Sequence, residues 1–315
     1  MKNSEKQSTQ EKAISTHKTK IEQEAVMVFL ESHYKTPISN LVFIGGGEGS
    51  QAFSFETGEE KFIIRVNRHS DNGFKKDQYA FSHFGSLKIP VPEIIEIGQL
   101  DSGQYFALSK KAEGEVLKNL STEDFNEITP NLFATLEAIH EVDISEIKGY
   151  GKWDIEGNGQ YASWKDVLLD VDVFAKTMFG NTFLEKDVWD TVYAKFIELT
   201  PYSSEDKQLV HGDYSVANVL ASYGEITGVI DWETSMYGDA LYDIAWLQFF
   251  SKGFDYEKAY RDFCKTIERN IENFDERVLC YQLYIGLGTL SFYVYSNQKD
   301  KYDLSKEKLV MLIKN

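Results

Sequence analysis

Residues 210–243 read VHGDYSVANVLASYGEITGVIDWETSMYGDALYD, and the order His211, Asp213, Asn218, Asp231 within them leaves this part of the chain few ways to fold. Asp213 and Asn218 stand five apart in a polar segment, and apolar runs follow at 219–220 and 226–230, each bounded by glycine or polar residues. That pattern predicts a loop feeding a short β-hairpin. Asp231 comes directly after the second strand, so a hairpin that folds back carries its carboxylate toward the Asn218 amide.

Two oxygen ligands converging in this way suit magnesium, a hard cation that takes one or two carboxylates and completes its shell with water and substrate phosphates. Asp213, offset from both, is placed to accept the proton of a hydroxyl, and its spacing to the asparagine is that of the H-R-D-x-x-x-x-N kinase loop. Taken singly, each of these residues reads as an ordinary turn former or strand-end cap. The ordered set instead points to phosphoryl transfer.

Upstream, residues 1–22 are polar and poor in apolar side chains, the composition of a disordered or loosely helical tail. Apolar spacing predicts a helix over 21–31 and strands over 40–44, 51–55 and 61–66. Between the first two strands lie Gly45, Gly46, Gly47, Glu48, Gly49 and Ser50, a glycine-rich turn that lets backbone amides approach phosphates without obstruction by Cβ. No Gly-Lys-Ser or Gly-Lys-Thr follows, which excludes a Walker loop. A helix is expected over 74–84 and a strand over 105–109. Further helices are expected over 132–140, 164–174, 184–199 and 238–250, and near the C-terminus over 289–295 and 305–314. Residues 149–163 read as a glycine-rich loop whose Trp153 and Tyr161 either pack in the core or line a cleft.

HGDYSVANVL followed by GVIDWE resembles the signature of the aminoglycoside phosphotransferases, small-molecule kinases that share their fold with protein kinases and choline kinase-like enzymes. Segments outside the signature are similar to the hygromycin B branch of that family. They are GEGSQAFSFETG at 47–58, FIIRVN at 62–67, FKKDQYAFSHF at 74–84, IPVPEIIEIG at 89–98 and GNGQYASWKDV at 157–167. The resemblance implies an α+β, bilobal, protein-kinase-like fold. Its small lobe is an antiparallel β-sheet with a helix, and its larger lobe is mainly helical. It divides the chain into a tail at 1–22, a nucleotide-binding lobe at 23–112 and a catalytic and substrate-binding lobe at 113–315.

The same resemblance assigns roles. Asp213 is the catalytic base, Asn218 and Asp231 hold Mg2+, and the turn at Gly47, Gly49 and Ser50 covers the phosphates of ATP, with GTP as the alternative nucleotide. Arg65 stands where kinases place a phosphate-binding lysine, a departure from the general pattern. Arginine remains charged and can fork onto phosphate oxygens. Asp77 matches the helix glutamate that partners this cation, and backbone groups of Lys110 and Ala112 match the hinge that pairs with adenine. His211 and Asp239 are expected to support the catalytic loop, while Glu233 and Asp243 are candidate carboxylates for an ammonium-bearing substrate.

The formal net charge of the 315 residues is −17, and the first 20 contribute +3, so the remainder carries −20. Such a field opposes nucleic acid and anionic membranes and favours cations, although an acidic surface also serves solubility alone. The composition shows no signal-peptide core and no apolar run of bilayer length, and Cys264 and Cys280 lack metal-ligand spacing. A cytoplasmic kinase of a cationic aminoglycoside, hygromycin B first, is the leading expectation. The alternatives are a kinase of a macrolide, choline or a metabolite sugar, and a catalytically inactive nucleotide-binding module.

Overall fold

The computed structural model describes residues 19–46, 49–154, 156–180 and 182–314. Residues 1–18 of the expected tail, and Gly47 of the glycine-rich turn, lie outside the described residues. The chain forms two compact units, Met1–Ser121 with Val216–Glu233, and Thr122–Ser215 with Thr234–Asn315. Compactness therefore draws its line elsewhere than at 112/113, and the hairpin carrying Asn218 and Asp231 is grouped with the first unit.

In the first unit, helix α1 (Gln23–His33) precedes strands β1 (Ile38–Gly46), β2 (Ser50–Thr57) and β3 (Glu60–Asn67). Helix α2 (Asn72–His83) is followed by β4 (Ile94–Gln99) and β5 (Tyr105–Lys110), and the five strands form one antiparallel sheet in the order β1-β2-β3-β5-β4. Strand periodicity of two sorts its faces. Phe53, Phe55, Phe62, Ile64 and Val66 pack with Val26 and Leu30 of α1 into the core. Their neighbours Ile63 and Arg65 are thereby turned to the opposite face.

A second, three-stranded sheet explains why residues 216–233 belong here. Strand β6 (Glu115–Val116) pairs with β10 (Val219–Ser222), which pairs in turn with β11 (Glu225–Val229). The loop and hairpin expected from the spacing of apolar runs are thus present, the first strand two residues longer than read and the second shifted by one residue.

The second unit is mostly helical. Helix α3 (Thr122–His140) begins ten residues before the expected 132, because Pro130 reads as a stop yet lies on the exposed face, where the missing amide and any distortion meet water. The expected helix over 164–174 is broken at Asp170 into α4 (Trp164–Leu169) and α5 (Val171–Lys176), followed by α6 (Lys186–Leu199). Strands β7 (Tyr150–Trp153), β8 (Gly159–Tyr161), β9 (Gln208–Val210) and β12 (Met236–Gly238) form a sheet in the order β8-β7-β12-β9. Residues 236–238 are therefore strand, and α7 (Leu241–Phe249) starts later than read; α8 is Tyr256–Thr266.

Helix α9 (Phe274–Tyr295) is long and apolar enough to cross a membrane, a length the composition reading missed because scattered polar residues interrupt it. Most of it is buried against α6, α7 and α10 (Lys299–Leu312), and a helix apolar on nearly every side is what the centre of a helical core requires. The α+β, kinase-like class expected from the sequence holds.

Candidate active site

In the first unit the geometry centres on Asp77. Its Oδ2 pairs with the Arg65 guanidinium and its Oδ1 accepts the Trp232 amide at 2.8 Å, so one carboxylate ties β3 to the residue after Asp231. Burial works against charge on Arg65, but Asp77, then Asp231 and Glu233, hold the guanidinium above its usual pKa. Phe74 lies 5.0 Å from the Arg65 guanidinium carbon and limits where the fork can turn. The neighbouring Lys76 donates to the Glu233 carbonyl at 2.8 Å, a second clamp from α2 that the sequence reading missed. Its only signal is the doubled lysine in FKKDQYAF.

Asp231 has φ 67°, a left-handed conformation uncommon outside glycine and asparagine, which turns the chain from β11 toward the Trp232 contact. Across the hairpin mouth the Ile230 amide donates to the Asn218 carbonyl at 2.9 Å, one step beyond the Val219/Val229 pair. Asn218 and Asp231 are therefore near neighbours at the open end of one hairpin, both partly exposed. An amide oxygen and a carboxylate in that position fit a hard divalent cation.

A cavity of about 190 Å3 is lined by Arg65, Asp77 and Asp231 together with apolar residues such as Ile63, Ile94 and Leu220, and also by residues 109–112. The Lys110 amide is taken up by the Glu93 carbonyl at 2.9 Å, so a role for Lys110 in base recognition falls to its carbonyl. Ala112 lines the same cavity. Gly49 and Ser50 lie at the start of β2, and the Gly49 carbonyl accepts from Thr19 Oγ1 at 2.6 Å. Thr19 also accepts the Arg68 amide, linking the chain ahead of α1 to the glycine-rich turn. Glu233 is exposed, its side chain against Gly73.

In the second unit, the loop after β9 presents Asp213. Gly212 has φ +79°, and a Cβ there would lie 2.4 Å from the Thr234 carbonyl, so only glycine fits. Asp243 is fully buried and accepts the His211 and Gly212 amides at 2.9 and 2.8 Å, while His140 Nε2 lies 3.1 Å from its Oδ2. A substrate ammonium has no access to it. Asp243 is thus corrected from candidate substrate ligand to brace of the loop. His211 is also fully buried, and its Nδ1 accepts the Asp213 amide at 3.3 Å.

Asp239 is held by other partners. It receives Arg277 Nε and Nη2 at 2.8 and 2.6 Å, the Tyr281 hydroxyl and the Leu241 amide, and so anchors the start of α7 to α9. Burial of Asp243 thus puts it, rather than Asp239, beneath the loop, and Asp239 is corrected from support of the catalytic loop to an anchor between α7 and α9. Asp213 itself is partly exposed, and its Oδ1 accepts Trp246 Nε1 at 2.9 Å. A cavity of about 580 Å3 adjoins it, lined by Gly212, Tyr242, Trp246, Tyr284 and Asp170 among others. Tyr161 also lines this cavity, whereas Trp153 is core, which divides the two aromatics of the 149–163 loop.

The profile of the phosphotransferase enzyme family matches residues 40–269, which include Arg65, Asp77, Asp213, Asn218 and Asp231. The chain belongs to that family. It is 30% identical over 265 residues to the hygromycin-B 4-O-kinase of Escherichia coli, covering 80% of this chain and 74% of that one. Its structure is similar to the crystal structure of aminoglycoside phosphotransferase APH(4)-Ia, with a TM-score of 0.84 at 26% identity over 93% of this chain and 99% of the other. A thermostable form of the same enzyme in ternary complex with AMP-PNP and hygromycin B gives 0.83 at 28% identity over 92% and 98%. The protein is therefore a phosphotransferase with an alcohol group as acceptor, and the aminoglycoside phosphotransferase resemblance read from HGDYSVANVL and GVIDWE holds.

Proposed function

We propose that this phosphotransferase transfers the γ-phosphoryl group of ATP to a hydroxyl of an aminoglycoside, with hygromycin B the first acceptor to test. The observation that carries the reading is Asp213. Its loop is held from beneath by the buried Asp243, while its own carboxylate stands partly exposed beside the larger cavity. A carboxylate so held orients an acceptor hydroxyl and takes its proton as the oxygen attacks phosphorus in line.

Arg65, kept in place by Asp77, would bind phosphate oxygens, with Gly49 and Ser50 of the glycine-rich turn beside them. Residues 23–112 would form the nucleotide lobe, with the Lys110 carbonyl and Ala112 at the base. Asn218 and Asp231 would hold Mg2+, which neutralises charge on the transferring phosphoryl group. ATP as donor implies the cytoplasm as the place of reaction. The −20 charge outside the first 20 residues favours a cationic acceptor, and similarity to a hygromycin-B 4-O-kinase names one.

One feature of the larger cavity favours a second reading. Among its described lining residues Asp170 is the one carboxylate, beside several aromatic side chains and Lys152. An acceptor with few ammonium groups fits that lining better than a polycation. Hygromycin B, a kanamycin, a macrolide and choline incubated with enzyme, ATP and magnesium separate these readings by mass spectrometry, with NMR locating the added phosphate. Phosphate on an aminoglycoside is the expected result, and turnover of the macrolide or choline alone would replace the acceptor class.

Removing the Asp77 carboxylate, as in Asp77→Ala, strips Arg65 of its partner and the Trp232 amide of its acceptor. Hydrogen bonds to charged groups contribute roughly 1.5–3 kcal/mol, so kcat/KM for ATP should fall about 10- to 100-fold. Steady-state kinetics at saturating acceptor check this, and an unchanged value would remove Asp77 from the nucleotide site.

A further inference from the structure

Helix α7 holds the Asp213 loop at two points on one face. Asp243 takes the main-chain amides of His211 and Gly212, and three residues later Trp246 takes the Asp213 side chain. Residues three apart on a helix are neighbours on its surface, so backbone and carboxylate are fixed by a single rigid element. Indole N–H is a donor only, and at 2.9 Å from Oδ1 it sets the rotation of the carboxylate.

The same side chain faces the larger cavity. Trp153, Trp164, Trp189 and Trp232 are all buried, and Trp246 alone of the five tryptophans is partly exposed. It stacks on Tyr242 with the ring planes 23° apart and meets Phe250 at 4.7 Å between centroids, and all three line the cavity with Gly212 and Asp170. An aromatic wall of this kind receives the apolar face of a saccharide ring and attracts an ammonium group carried on it.

We infer that Trp246 is a positioning residue for Asp213 and the specificity wall of the acceptor cavity, selecting acceptors that lay an amino-sugar ring against the indole beside the hydroxyl to be phosphorylated. The inference rests on the reading of Asp213 as the base. It joins orientation of the base and recognition of the acceptor in one side chain. Its two functions separate chemically: phenylalanine keeps an aromatic face without the N–H, and alanine removes both.

The test uses the full chain with ATP, magnesium and hygromycin B. Trp246→Phe should lower kcat about tenfold, the loss of one hydrogen bond to a carboxylate, while leaving KM for hygromycin B within about twofold. Trp246→Ala should show the same fall in kcat and raise KM for hygromycin B about three- to thirtyfold, with KM for ATP unchanged in both. In the unaltered protein, hygromycin B should change tryptophan emission, and Trp246→Phe should abolish that change. An unchanged kcat in Trp246→Phe overturns the positioning role, and an unchanged KM in Trp246→Ala overturns the wall. If neither variant folds, the emission of the unaltered protein decides, because calorimetric binding of hygromycin B without a change in emission overturns the wall. Failure of the unaltered protein to phosphorylate any aminoglycoside overturns the functional reading and the inference with it. Turnover by the unaltered protein with indifferent variants overturns the inference alone.

Discussion

Asp213→Asn should reduce phosphorylation of the acceptor by about 10²- to 10⁴-fold, the range over which a positioned general base contributes. The substitution is nearly isosteric, so the carboxamide oxygen can still accept Trp246 Nε1, and the loop keeps its supports from Asp243 to the His211 and Gly212 amides. Folding and nucleotide binding should therefore be intact while turnover collapses. Single-turnover phosphorylation, set beside thermal melting and nucleotide titration, separates the two effects. Turnover within about threefold of the unaltered enzyme, with the fold intact, would remove Asp213 from the role of base.

Asp239→Ala should cost about 3–5 kcal/mol of stability, the usual loss when one partner of a buried ion pair is deleted. Asp239 is fully buried and the Arg277 side chain is 13% exposed, so alanine leaves a guanidinium in the interior without its anion. The Tyr281 hydroxyl and the Leu241 amide lose an acceptor at the same time. Exposed pairs provide the contrast. Lys299–Asp303, 48% and 38% exposed, should yield less than about 1 kcal/mol when broken. Urea denaturation of the two variants measures the difference. A loss below about 1 kcal/mol for Asp239→Ala would show that Arg277 reaches water or another acceptor once the carboxylate is gone. Domains are stable by only about 5–15 kcal/mol, so the expected loss is a large share.

Residues whose place follows from local periodicity were legible in the chain. Alternation in FIIRVN puts Phe62, Ile64 and Val66 in the core and so puts Arg65 on the other face. The apolar runs on either side of Gly224 form the hairpin that brings Asn218 and Asp231 together at its mouth. Helix ends were less legible. Pro130 is a stop signal in one dimension, but its position on the exposed face of α3 becomes apparent only once the helix is packed.

The roles of Asp239 and Asp243 illustrate the limit more sharply. The two stand four apart, and nothing in that spacing says which lies under the loop. The answer depends on where Arg277, Tyr281 and His140 arrive from distant helices. Trp246 had no signal at all, since 33 residues separate it from the carboxylate it holds.

The sequence by itself determined the phosphotransferase class, through the order of Asp213, Asn218 and Asp231, because those groups are set by short-range loop and hairpin geometry. Tertiary structure decided what surrounds them. It made Asp243 a brace and Asp239 an anchor, joined Asp77 to both Arg65 and the Trp232 amide, and placed an aromatic wall with Asp170 beside Asp213. The physical reason is that a ligand's chemistry is carried by residue type, whereas a buried polar group's role is set by the partners that long-range packing supplies.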